Sequence, residues 1–275
     1  MFNSEKKHNS SEAKRNPDIL KIEEFLKTTS LELQKEGVPV LSDERIDMFA
    51  FQGVYPDHDI ESDDHNVKML HKKWYGDLSE SELHEKHKES DGEKLEMLST
   101  ALLQKNMGDN FIVTRASEHD DIHNGIDNVL LDRRTGNVVC AFDEVGDVRG
   151  DRYAKKVNDV MDKNIHQSGV SLKYGLGIKH DNEEVVIERR EVRNIPIFYL
   201  ALDERLIAKG LKEMLPSSKQ SDFEKQLFRY FVSGIAHQTQ LLGLKIMAAS
   251  RSGSGFKELE ARFQSFKKII EKIAQ

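Results

Sequence analysis

The sequence predicts an α/β protein, a central mixed β-sheet with an αβββαβ core and helical additions at both ends. Three observations carry this. Ile126–Leu131 and Val138–Val145 are apolar on both faces, the pattern of strands inside a sheet. The polar turn Asp132–Asn137 joins them, with Gly136 available for positive φ. Helix-period segments flank the pair, one over Ser90–Asn106 and one after Asp151.

The 275 residues suffice for one large domain or one domain with additions. Charged residues make up 32% and hydrophobic ones 37%, and no apolar run has membrane-spanning length. The start, MFNSEKKHNSSEAKRNP, has no apolar signal core, and the single Cys140 has no partner for a disulfide. A cytoplasmic protein without membrane attachment is the expectation. The net charge of −7 argues against an all-over nucleic-acid coat but leaves room for a local basic groove.

Residues 1–16 read as a disordered tail. Residues 17–89 read as a helical and loop extension, beginning with a helix over Asp18–Gln34 that Gly37-Val38-Pro39 ends. Asp57–His65 reads as a solvated acidic loop with two histidines, and His71, His84 and His87 as surface residues. Residues 90–202 form the expected core. It holds the helix with Leu95, Leu98 and Leu102, the strand Phe111–Ala116, the hairpin, and a helix with Tyr153, Val157, Val160, Met161 and Ile165. Strands at Leu172–Ile178, Glu184–Ile187 and Ile195–Leu202 follow. Residues 203–275 read as helical, over Leu206–Leu215 and Asp222–Leu242, with a flexible link at Ala248–Gly255. The last helix spaces Phe256, Leu259, Phe263, Phe266, Ile270 and Ile273 by three and four. That seam suits packing on the chain's own helices or, alternatively, self-association or a protein partner.

The hairpin carries acids where apolar strands do not tolerate them unpartnered: Asp127 in one strand, Asp143 and Glu144 in the other. A three-residue loop centred on Thr135 sets Asp127 opposite Asp143; a two-residue loop sets it opposite Glu144. Either way like charges converge at the end of the sheet far from the turn. They need a proton or a cation between them, and hard oxygen ligands suit Mg²⁺ or Mn²⁺.

The order helix, strand, strand, strand, helix, strand, with these acids, resembles the PD-(D/E)XK nuclease superfamily over residues 90–202. The resemblance implies a restriction-endonuclease-like core. It also implies a metal held by Glu93 from the first helix, Asp127 from the second strand and Asp143 from the third, with Glu144 alongside. The activity implied is divalent-metal-dependent phosphodiester hydrolysis of DNA or RNA. The family's lysine, two residues after the third-strand acid, is replaced here by Val145. Lys156, three residues after Tyr153 on the next helix, is the candidate substitute, with Lys155 and Arg152 as neighbours. Arg133, Arg134, Arg149 and Arg152 are candidate phosphate contacts.

Each assignment has a plainer counterpart. Ser90-x-x-Glu93 is also a capping box. Asp127 can bond backbone at a strand start, Asp143 and Glu144 can face solvent, and His119-Asp120-Asp121 can cap a turn rather than add a ligand. The corresponding whole-protein alternative is a catalytically inactive nuclease-fold module that binds protein or nucleic acid. The missing lysine and the acidic charge favour it, and the facing acids favour the enzyme.

Overall fold

The structure, a computed structural model, describes residues 16–79, 82–83, 86–87, 89–181, 184–249 and 253–274. The tail expected over residues 1–16 therefore lies outside the described residues up to residue 15, as do His84 and residues 250–252 of the expected link.

Among the described residues, two long helices separated by an irregular segment come before the helix that leads into the sheet. Helix α1 (Pro17–Lys35) starts on Asn16, whose side chain accepts from Asp18 N, with Pro17 preset for a first turn. Helix α2 spans Asp57–Tyr75, so the expected acidic loop is a helix. Its buried Ile60, Asp63, Val67 and His71 recur at steps of three and four, and Asp57 and Asp59 complement the dipole at its start. His71 is buried rather than on the surface, against Trp74, Tyr75 and His87.

Helix α3 (Asp91–Met107) leads into β1 (Phe111–Arg115), the short helix α4 (Glu118–Asn124), β2 (Asn128–Asp132) and β3 (Val138–Val145). Helix α5 (Gly150–His166) crosses over, β4 (Val170–Asp181) and β5 (Glu184–Ile195) form a hairpin, and β6 (Ile197–Ala201) returns to the sheet. The four-stranded sheet is mixed, in the order β1-β2-β3-β6, with β6 parallel to β3 and the other pairs antiparallel. The hairpin β4–β5 is a sheet of its own, so of the strands expected after α5 only β6 joins the central sheet. Asn128 pairs with Phe142, Val129 with Ala141 and Leu130 with Cys140, the register of the three-residue loop, with a bulge before Leu131 meets Val138. Gly136 has φ +69°, and a Cβ there would lie 2.5 Å from Ile178 O, so the turn can carry no side chain at that point.

Alternate strand residues feed two cores. Val113, Leu130, Cys140, Phe142, Phe198 and Leu200 pack under α1, α3, and the C-terminal helices α6 (Glu204–Glu213), α7 (Asp222–Ala249) and α8 (Ser254–Ile273). Ile112, Val129, Leu131, Ala141 and Ile197 pack under Val160 of α5, Ile60 of α2 and the β4–β5 hairpin. The α8 seam is spent inside the chain: Leu259, Phe263, Phe266 and Ile270 are buried. Among the described residues no helix is long and apolar enough to cross a membrane.

Candidate functional site

The acids collect at the end of the sheet where β3 stops and β2 begins. Asp127 lies just before β2, beyond the last paired residue Asn128, and its N–H donates to Phe142 O at 2.9 Å, which holds it beside the end of β3. Glu144 N donates to Asp127 Oδ2. Asp143 and Glu144 then part to opposite faces of the strand. Asp143 meets the Lys156 ammonium of α5 in a direct ion pair, with Lys163 one further heptad along. Glu144 turns toward α3: Ser99 Oγ of that helix and Asn128 Nδ2 of β2 each donate to its Oε1 at 2.8 Å, while its Oε2 is buried without a hydrogen-bond partner.

Gly125, at φ +59°, ends α4 and delivers the chain to Asp127. A Cβ there would lie 2.9 Å from Lys163 Nζ, so glycine also leaves room for the lysine. Lys163 is held by the Asn124 carbonyl at 2.8 Å. Lys155, by contrast, is exposed and turned away.

Glu93 belongs to this charge network through Arg115 and Arg45 but is not one of the carboxylates that converge beside Asp127. Ser90 Oγ accepts from Glu93 N at 3.2 Å, as a cap should. The Glu93 side chain does not return the bond; Arg115 grips it with two, at 2.8 and 2.7 Å. The helix acid that faces the hairpin is Glu96, one turn on. Glu96, Asp121 and Asp127 each present an oxygen within 4.8 Å of the other two. Asp121 comes from α4, so the His119–Asp121 segment is helical; Ser117 caps that helix by accepting from Asp120 N, and the buried Asp120 carboxylate accepts from the backbone N–H of Lys173 and Tyr174 in β4.

Two guanidiniums hold the outer rim. Arg115 Nη2 donates to Glu96 Oε2 at 2.6 Å, and Arg45 contacts Asp121 at 3.0 Å and Glu96 at 3.4 Å. Arg45 reaches the site because its segment bridges to Arg115 at the end of β1. The sequence held a signal for this pair: an arginine in the apolar strand FIVTRA needs a carboxylate as surely as Asp127 needs a counter-charge. Arg133 is not a phosphate contact near the acids. It sits at the opposite, turn end of the hairpin, bonded to Gly108 O, Phe111 O and Glu36.

Leaving the more exposed Asp43 aside, Glu93, Glu96, Asp121, Asp127, Asp143 and Glu144 face Arg45, Arg115, Lys156 and Lys163. Six acids against four cations leave a surplus of negative charge. Burial, then the neighbouring Glu144 and Glu96, push Asp127 well above the carboxylate range. Burial and Asp121 push Glu96 up to about 8. Burial also raises Asp143 and Glu144, the former against the pull of Lys156. Glu93 is the opposite case: burial works to raise it, but Arg115 overrides burial and holds it at about 2. Asp143 likewise outweighs burial at Lys156 and raises it, whereas burial lowers Lys163.

The arrangement can do one of two things: hold protons on Asp127 and Glu96, or hold one divalent cation among oxygen ligands. A cleft of about 490 Å³ opens at the other end of the network, lined by Lys27, Asp43, Arg45, His87 and Glu93. Asp127 and Asp143 do not line it, so the electrostatics rather than the cleft locate the candidate centre. Comparisons with family models, with curated proteins and with solved structures found no match to this chain.

Proposed function

We propose that this chain is a divalent-metal-dependent phosphodiesterase acting on DNA or RNA through a PD-(D/E)XK-like site on a restriction-endonuclease-like core. The observation that carries the reading is the surplus of buried carboxylates at one end of the sheet, with Glu96, Asp121 and Asp127 converging within 4.8 Å. These residues fit Mg²⁺ or Mn²⁺. They are hard oxygen donors, and two of them are pushed toward the protonated state where they stand. In this reading Glu96, Asp121 and Asp127 hold the ion, with Asp143 beside them. Glu96 takes the role that the family resemblance gave to Glu93. A bound cation supplies charge neutralisation at the phosphate and a more acidic water. Lys156, oriented by Asp143, is placed to stabilise charge developing on a phosphate oxygen, the part the lysine absent at position 145 would play. Glu144, tied to Ser99 and Asn128, positions Asp127 through its backbone N–H.

A second reading has an observation of its own. Arg45 and Arg115 already bond Glu96 and Asp121, as cations that need no metal. On that ground the site would be a structural ion-pair core in a catalytically inactive nuclease-fold module that binds protein or nucleic acid.

Thermal unfolding of the wild type and of Asp127→Asn, with and without Mn²⁺, separates the two. A metal site gives a wild type stabilised in proportion to ligand saturation, and a mutant that is not. The metal-free mutant should match the wild type or exceed it by about 1–2 kcal/mol, because one repelling charge is gone. In the same proteins Lys156→Ala should lower Mn²⁺-dependent cleavage of labelled DNA or RNA by at least about tenfold. A destabilised Asp127→Asn together with a wild type indifferent to metal would remove the phosphodiesterase reading and leave the structural one.

A further inference from the structure

The Asp143–Lys156 pair borders a groove walled by aromatic side chains. Tyr199 of β6 stands in parallel register with Asp143 of β3, so the two side chains leave the same face of the sheet about 4.8 Å apart. Helix α5 repeats this pairing across one turn: Lys156 meets Asp143, and Tyr153 meets Tyr199. The Tyr153 hydroxyl donates to that of Tyr199 at 3.2 Å, and the rings lie edge to face at 85° with centroids 5.7 Å apart. Helix α7 forms the opposite wall with Tyr230, Ser233, Gly234 and His237.

The groove encloses about 310 Å³, the low end of the about 300–1,000 Å³ of ligand pockets. Gln238, which also lines it, spends its amide on both backbone groups of Tyr199 and so fixes the floor. Tyr230 is 49% exposed, with its ring available at the mouth. From Tyr230 to Leu244 the helix has no Asp, Glu, Lys or Arg, in a chain that is 32% charged. The lining is therefore uncharged and rich in aromatic rings, with hydroxyl and imidazole groups among them. Exposed Arg149 and Arg152 flank Val148 and Tyr153, both of which line the groove.

We propose that this groove binds an unpaired nucleobase, stacked on Tyr230 and edge-on to the Tyr153–Tyr199 pair, in a strand whose adjoining phosphate lies toward Lys156 and the exposed Arg149 and Arg152. A planar, uncharged ring with hydrogen-bonding edges matches the lining, and each base brings a phosphate that the neighbouring ammonium and arginines can meet. In a duplex the base is stacked on its neighbours and cannot enter, so the preferred substrate class is single-stranded nucleic acid. The inference rests on the phosphodiesterase reading for the fate of the phosphate, but the binding can be measured without it.

The test uses full-length protein in EDTA, with fluorescein-labelled single strands of DNA and of RNA of about 15 nucleotides, and the matching duplex. Anisotropy should show tighter binding of single strand than of duplex. Tyr230→Ala should weaken single-strand binding about 5- to 150-fold, the loss expected for one base–aromatic stack, and leave duplex binding unchanged. Tyr230→Phe, which keeps the ring, should restore it. The DNA and RNA arms decide which sugar is preferred. Wild-type protein that binds no single strand, or Tyr230→Ala that binds as the wild type does, overturns the proposal. So does a Tyr230→Ala change that only converts a dimer to a monomer in sedimentation, which would assign the groove to a second copy. If Mn²⁺ fails to stabilise the wild type while the Tyr230 effect holds, the phosphodiesterase reading falls and the base-binding groove stands.

Discussion

Glu44 shows how far a single residue can be driven from its solution behaviour. It is wholly buried with its backbone in the left-handed region at φ +64°, near Asp43, Arg115 and Glu32. Thr29 donates to one carboxyl oxygen and the other has no partner. Burial pushes its pKa up to about 8, against the pull of the Thr29 hydroxyl. A raised native pKa means that the stabilising proton is present in full below about 4.5, the unfolded value, and is lost as pH rises through about 8. Glu96 adds the same sign over the same window. Urea unfolding at several pH values should therefore show stability falling between about pH 5 and 8. Glu44→Gln should flatten that slope, though not abolish it, and stabilise the protein at pH 8 by about 1–3 kcal/mol. A wild type whose stability is constant or rises over this window would contradict the assignment.

At the scale of elements, two Ser-x-x-Glu signatures start helices and end differently. At α7, Glu224 N donates to Ser221 Oγ at 3.2 Å and Ser221 N donates to Glu224 Oε2 at 2.6 Å, so the box closes on itself. At α3 the same signature keeps only the serine half, because Arg115 takes Glu93. A buried arginine with nowhere else to go outweighs one neutral backbone donor. Glu224 has a second duty, an ion pair with Lys105 of α3 in which both side chains are fully buried. The lysine also donates to Leu215 O at 2.6 Å and Lys219 O at 3.2 Å, tying α3 to the link before α7. Lys105→Met should cost about 3–5 kcal/mol, since it strands a buried carboxylate and two carbonyls. Adding Glu224→Gln, which removes the stranded charge, should recover part of the loss in a double-mutant cycle by chemical denaturation.

At the scale of the whole molecule, the C-terminal helices complete the sheet's core. Phe266 of α8 is fully buried, its ring 4.9 Å from that of Phe198 on β6 and 6.1 Å from that of Phe142 on the neighbouring β3. Phe266→Ala removes a large ring from this junction and should destabilise the protein by about 3–5 kcal/mol in urea unfolding, with one cooperative transition retained. A second, separate transition would mean that α8 unfolds independently of the sheet. With one face of the sheet covered by these helices and the other by α5 and the β4–β5 hairpin, the acids gather where β3 ends, beside the crossover into α5. That is where open sheets with a parallel pair leave a crevice.

Local physics made much of this legible in the sequence. The doubly apolar strands placed β2 and β3 in the middle of the sheet, while a bulge between Leu130 and Leu131 set the register that ends at Asn128 and Phe142, next to the acids. Helical spacing from Tyr153 turned Lys156 rather than Lys155 toward the sheet. These outcomes depend on neighbours within a few residues, or on one turn, and the chain encodes them directly. The period that makes α2 a helix was also present, but its many charges masked it. Only the tertiary structure decided that Glu96 faces the hairpin and Glu93 faces Arg115, that Arg45 crosses from an irregular segment to Asp121, and that Tyr153, Tyr199 and Tyr230 share a groove. The physical reason is common to the first two. Long side chains on one helical turn can point to either of two partners, and the choice is made by buried charges that arrive from distant elements and must be neutralised.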